Sequence, residues 1–145
     1  MHPVRVDPPD WATEYQTSVD AGVPEDVVSI FEAQILVIEN CVDNLVGDFL
    51  RHTVLHRNGV VEFPSAERLS GEYYISSSSL WYSSESWFEK VGRSSEYCAS
   101  VIVHLLELAN SSTMNRDYVG LEYVFTLDRT SQKFVLKVSG EISAI

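Results

Sequence analysis

The sequence predicts an α+β fold, a single domain with an antiparallel sheet backed by two main helices. An irregular N-terminal arm occupies residues 1–22 and the α+β domain occupies residues 23–145. Three observations predict this. A long apolar stripe at helical spacing follows Pro24, a second helix-like apolar run follows Ser94 and Ser95, and the last third alternates with a period of two. At 145 residues, with 45% hydrophobic and 11% aromatic content, the chain has enough apolar surface for one real core.

Pro3, Pro8, Pro9 and Gly22 punctuate the arm, where only Trp11 and Tyr15 offer anchors. Pro24 suits a first helical position, and Glu25 and Asp26 follow where the helix dipole favours anions. Val28, Phe31, Ile35, Ile38, Val42, Leu45 and Phe49 then recur at alternating steps of three and four, which predicts one buried helix face. Val27, Ile30, Val37 and Cys41 widen the stripe, predicting a central helix covered on more than one side. Glu25, Glu32 and Glu39 recur every seven residues and Asp43 follows Glu39 by four, forming an acidic edge beside the apolar seam.

Gly47-Asp48 is read as the helix end, with Phe49 to His56 a strand that turns at Asn58-Gly59 into residues 60–63. The alternative is a helix that continues to a Gly59 cap. After a loop marked by Pro64 and Gly71, Glu72 to Ile75 read as a strand. The next residues interleave serines with Trp81, Tyr82 and Trp87. Short hydroxyls among large rings suit an exposed contact surface, and the plainer alternative is a strand with rings inward and serines outward. Tyr97, Val101, His104, Leu105 and Leu108 mark one face of the second helix, ending near Asn110, and Cys98, Ile102 and Leu106 thicken it. Leu121, Tyr123, Phe125 and Leu127, then Phe134, Leu136 and Val138 across a polar turn, predict a closing hairpin.

Charge bounds the choice of partner. Residues 1–50 hold ten acidic side chains against Arg5 alone, leaving −9; residues 51–145 hold eleven against nine cations, leaving −2. Such a field attracts basic protein surfaces and opposes nucleic acid and anionic membranes. No apolar stretch is long and uncharged enough to span a membrane. Residues 1–10 have no apolar signal core, so cytoplasm is the expected compartment, Cys41 and Cys98 are expected as free thiols, and the Asn110-Ser111-Ser112 sequon is a chance match.

Catalytic patterns are missing from the sequence. His52 and His56 would share a helix face, but no third ligand adjoins them, and on a strand they would stand about 13 Å apart. His104 reads as a satisfied core residue. No serine sits in a nucleophile elbow, no glycine run cradles phosphate, and the carboxylates follow a solvated edge. The expectation is a protein that is not an enzyme, with no cofactor and no metal. Its partner-binding residues would be Glu25, Glu32, Glu39, Asp43, Trp81, Tyr82 and Trp87. Helix 1 could alternatively use its stripe to form a homodimer.

In size, charge and element order, carried by Glu25, Glu32, Glu39 and Asp43 and by the hairpin over 121–138, the chain resembles the small acidic immunity proteins of bacterial polymorphic and contact-dependent toxin systems. The resemblance implies a non-catalytic protein that binds and neutralises a basic, nuclease-type toxin. The chain is also similar to acidic dimeric type III secretion chaperones in its expected α-β-β-β-α-β-β order, although their first and final helices have no counterpart in it. A third reading is an enzyme or small-ligand-binding domain with the serine–aromatic segment as its pocket.

Overall fold

The computed structural model describes residues 4–8, 16–55, 69–83, 96–107 and 118–143. Two short strands, β1 (Val4–Arg5) and β2 (Gln16–Val19), precede a single helix, α1 (Glu25–Leu55). Four long strands follow: β3 (Leu69–Ser83), β4 (Glu96–Glu107), β5 (Tyr118–Asp128) and β6 (Lys133–Ser143). They form one six-stranded sheet in the order β1-β3-β4-β5-β6, curled into a half-barrel. Strands β3 to β6 are an antiparallel meander, and β1 and β2 both add in parallel along the outer edge of β3.

Entry into α1 follows from local chemistry. Gly22 takes a positive φ of 87°, and the Pro24 carbonyl accepts the first helical bond from the Val28 amide at 3.0 Å. Glu25 and Asp26 occupy the first turn, where they oppose the helix dipole. With 31 residues, the helix is about 46 Å long and lies across the sheet. Val27, Phe31, Ile38, Val42, Val46 and Leu50 are its buried face; Ile35, Leu45 and Phe49 pack beside them. Across from them stand Tyr73, Ile75 and Leu80 of β3, Val101 and Val103 of β4, Tyr123 and Phe125 of β5, and Phe134 of β6. Phe31 meets the Phe134 ring edge-on at 6.1 Å.

The expectation of two main helices is corrected: only α1 is helical among the described residues, and the segment expected as a second helix is the central strand β4. Register explains the misreading. Tyr97, Ala99, Val101, Val103 and Leu105 pack toward α1, while Cys98, Ser100 and Leu106, buried on the other face, alternate with them. A strand buried on both faces is a near-continuous apolar run, and such a run imitates a helix in sequence. The β-branched run Val101-Ile102-Val103 is what favours the strand.

A second correction concerns residues 49–55, expected as a strand, which continue α1 to Leu55. Gly47 does not stop the helix. Its cost of about 1 kcal/mol relative to Ala is offset by burying Val46 and Leu50 on either side. The Asn58-Gly59 turn lies outside the described residues, as do Trp11, Tyr15, His56, Trp87, Leu108 and the sequon.

The strand expected at Glu72 to Ile75 runs on through the serines to Ser83. A register shift between Ile75 and Ser77 inserts an extra residue, so that Ile75 and Ser78 both face α1, opposite Val103 and Val101. Ser78 is consequently buried, and Ser83 is buried as well, so the serines of this segment do not all face outward. Gly71, at φ 84°, supplies the left-handed backbone for the earlier irregularity in the same strand.

The closing hairpin matches its sequence pattern. Its turn is fixed from both sides. Asp128 accepts bonds from the Thr130 amide and the Ser131 hydroxyl, which hold its carboxyl below the usual range. Gln132 takes a left-handed φ of 55°. From α1, the Gln34 amide donates to the Gln132 carbonyl at 2.6 Å and accepts from the Phe134 amide at 3.1 Å. One side chain thereby joins the helix to the hairpin.

Candidate partner-binding surface

The acidic edge of α1 divides into two environments. Glu25 and Glu32 are exposed, whereas Glu39 is only 9% exposed and Asp43 is half-buried. Helical geometry accounts for Glu39, whereas Asp43, about five whole turns from Glu25 and at the same angle, is covered by Tyr73 and Arg5. A straight helix drifts about 20° per heptad, so three acids seven apart rotate by about 40° in total. That rotation carries Glu39 from the solvent face toward the edge of β3.

There Arg5, delivered by the pairing of β1 with β3, meets both carboxylates. Its guanidinium lies 3.9 Å from Glu39 and 3.7 Å from Asp43. The Tyr73 hydroxyl donates to Asp43, and burial together with that carboxylate pushes the phenol well above its ordinary value. Tyr73 is therefore a permanent donor. Arg5, Val6, Asp7, Pro8, Glu39 and Ile75 line a cleft of about 360 Å³ beside this cluster.

The rest of α1's surface is an open arc. Stepping about 100° per residue, Glu25, Asp26, Ser29, Glu32, Ala33, Leu36, Val37, Asn40, Asn44 and Asp48 fall on one side, and every one is exposed. Val37, expected within the widened stripe, is 67% exposed, and its neighbour Leu36 is 70% exposed. The helix is thus covered on one side rather than several. Residues 25–50 contain no Lys or Arg.

The serine–aromatic segment also divides. Trp81 and Tyr82 project to opposite faces, as successive strand residues must. Trp81 is half-buried, packs on Cys98 and Val124, and donates its indole proton to the Ser100 hydroxyl at 2.7 Å. Tyr82 is 54% exposed and meets the Tyr97 ring at a tilt, with the centroids 5.1 Å apart. Arg129 sits 5.5 Å over the Tyr97 ring and reaches Asp26 at 3.1 Å. A continuous chain of contacts therefore runs from Tyr82 through Tyr97 and Arg129 to the first turn of α1. Trp87 lies outside the described residues.

Asp26, Asp48, Tyr97 and Arg129 join this surface without having been singled out as contact residues. Tyr97 was hidden by the helical reading of β4. The signal for Leu36 was its position outside the apolar stripe.

Several other titratable side chains are buried or half-buried. Tyr74 and His104 hydrogen-bond at 2.7 Å with their rings edge-on, and burial lowers the His104 pKa. Cys41 on α1 and Cys98 on β4 are free thiols. Burial, with the Glu96 carboxylate adding to it, pushes Cys98 up to about 12, so its reactive thiolate is scarce at neutral pH. Among the described residues the buried Tyr123 hydroxyl has no hydrogen-bond partner. Among the described residues no His, Cys, Asp and Glu group has metal-binding geometry, and no helix is long and apolar enough to cross a membrane. The chain matches no protein-family model, no curated protein and no solved structure.

Proposed function

We propose that this chain is a non-catalytic binding protein that neutralises a basic protein partner, in the manner of an immunity protein acting on a cognate bacterial nuclease-type toxin. One observation carries the reading. The exposed arc of α1 bears Glu25, Asp26, Glu32 and Asp48 with no Lys or Arg among residues 25–50. Arg129 pairs with Asp26, and the arc still displays part of the charge imbalance of residues 1–50 on an accessible face. Field lines from such a face steer a cationic surface and reject phosphate backbones. Binding alone would suffice for neutralisation, by covering or locking the partner.

The chaperone reading loses its main support, because its element order required a second helix where β4 lies. A dimer through the apolar stripe is disfavoured as well, since Phe31, Ile38 and Val42 are spent on the sheet.

The test is growth of cells that express a toxin-bearing reading frame adjacent to the gene for this chain. The wild-type protein should protect, and E25K/E32K should protect less. Equal protection by the double variant removes this face from the site, and no protection at all removes the immunity function.

A further inference from the structure

Leu36 and Val37 are the two most exposed large hydrophobic side chains among the described residues, at 70% and 67%. A lone exposed leucine is ordinary on any surface. Here two adjacent apolar side chains occupy the middle of a 31-residue helix, away from its ends and from the sheet. On the arc their nearest neighbours are Ala33 and Asn40, both short, and Glu32, one turn before Leu36; with Glu32 in place Leu36 is still 70% exposed. Long charged side chains commonly shield apolar surface with their stems, and the exposure of Leu36 and Val37 shows that Glu32 leaves both open.

Resting on the basic-partner reading above, we infer that Leu36 and Val37 are an apolar anchor that seats in a hydrophobic socket on a cationic protein surface, with Glu25, Asp26, Glu32 and Asp48 forming the polar rim. The arrangement has the anatomy of an interface, with an apolar centre that loses water and charges at the edge that steer and orient. A second copy of the chain is the wrong occupant. Two such arcs face to face would oppose acid to acid, with Arg129 at Asp26 set against four acids on each copy.

The probes are two synthetic helical peptides of equal length and equal positive charge, one pairing Lys with Leu along one face and the other pairing Lys with Ser. Binding to the full-length protein is read by fluorescence anisotropy at 0.1 M salt. The Lys/Leu peptide should bind at least about tenfold tighter than the Lys/Ser peptide, as burying two aliphatic side chains implies. L36S/V37S should erase that advantage, leave Lys/Ser binding unchanged and leave the denaturant midpoint unchanged. L36A alone, which preserves helix propensity, should erase part of it.

An advantage that survives in L36S/V37S overturns the anchor while leaving the acidic-face reading intact. Binding of both peptides that is indifferent to E25K/E32K overturns the basic-partner reading and the anchor together. Sedimentation of the wild type as a dimer that L36S/V37S dissociates also overturns the proposal, since the occupant would then be a second copy.

Discussion

Single residues in the sheet separate packing from contact. Trp81 is wedged against Cys98 and Val124 with its indole proton satisfied by Ser100, so Trp81→Ala should cost at least about 2 kcal/mol of stability. Tyr82 is exposed and gains only its ring contact with Tyr97, so Tyr82→Ala should cost about 1 kcal/mol or less. Denaturant midpoints of the two variants check this, and equal losses would mean that Tyr82 is core. His104 carries a pH dependence of definite sign. Its folded-state pKa is lowered by burial, so below an unfolded value of about 6.5 the unfolded chain binds more protons than the native one. The stability held by neutral His104 is present above that value and is lost as pH falls through the folded pKa. The fall in midpoint between pH 7.5 and 5.5 should therefore shrink in H104Q; an unchanged fall assigns it to other groups. The sequence placed His104 among satisfied core residues, but its partner Tyr74 was not foreseeable. The two meet across β3 and β4, a pairing hidden while β4 was read as a helix.

At the scale of elements, legibility followed how many faces each segment buries. The α1 stripe was readable because one face is apolar and the other polar, and the β5–β6 hairpin was readable because its inward residues alternate. Strand β4 was not, since burial on both faces erases the period that distinguishes strand from helix. The extension of α1 past Gly47 was legible only as the alternative to a strand, because tertiary burial of Val46 and Leu50 outweighs a local breaker. Two tests follow. Phe31 and Ile38 are 1% and 3% exposed, so Ala at either should cost about 2–5 kcal/mol, and half-buried Leu45 should cost less. Near-neutral changes at Phe31 and Ile38 would mean that the helix does not pack on the sheet as described. Gln34→Ala removes both bonds to the β5–β6 turn and should cost about 1–2 kcal/mol. Amide exchange over 132–134 should quicken in that variant. If it does not, the clamp contributes nothing to the hairpin.

For the whole molecule, what matters is how much of its charge a partner can reach. The net −11 does not act as one uniform field, because Glu39 and Asp43 are turned toward Arg5 while Glu25 and Glu32 face water. Charge reversal at the two kinds of site should therefore give opposite signatures. E25K/E32K should leave the unfolding midpoint nearly unchanged, as exposed substitutions do. It should slow association with the Lys/Leu peptide most at low salt, because steering is screened over about 10 Å at 0.1 M. E39K places a second cation against Arg5 in a site that is 9% exposed, and should cost at least about 1 kcal/mol of stability. Its effect on the association rate should be smaller than that of E25K/E32K, because the buried position contributes little to the outer field. Stopped-flow rates at several salt concentrations, paired with denaturant midpoints, separate the two. If E39K slows association as much as the exposed pair while leaving stability intact, the division of the acidic edge into a displayed half and an internal half is wrong.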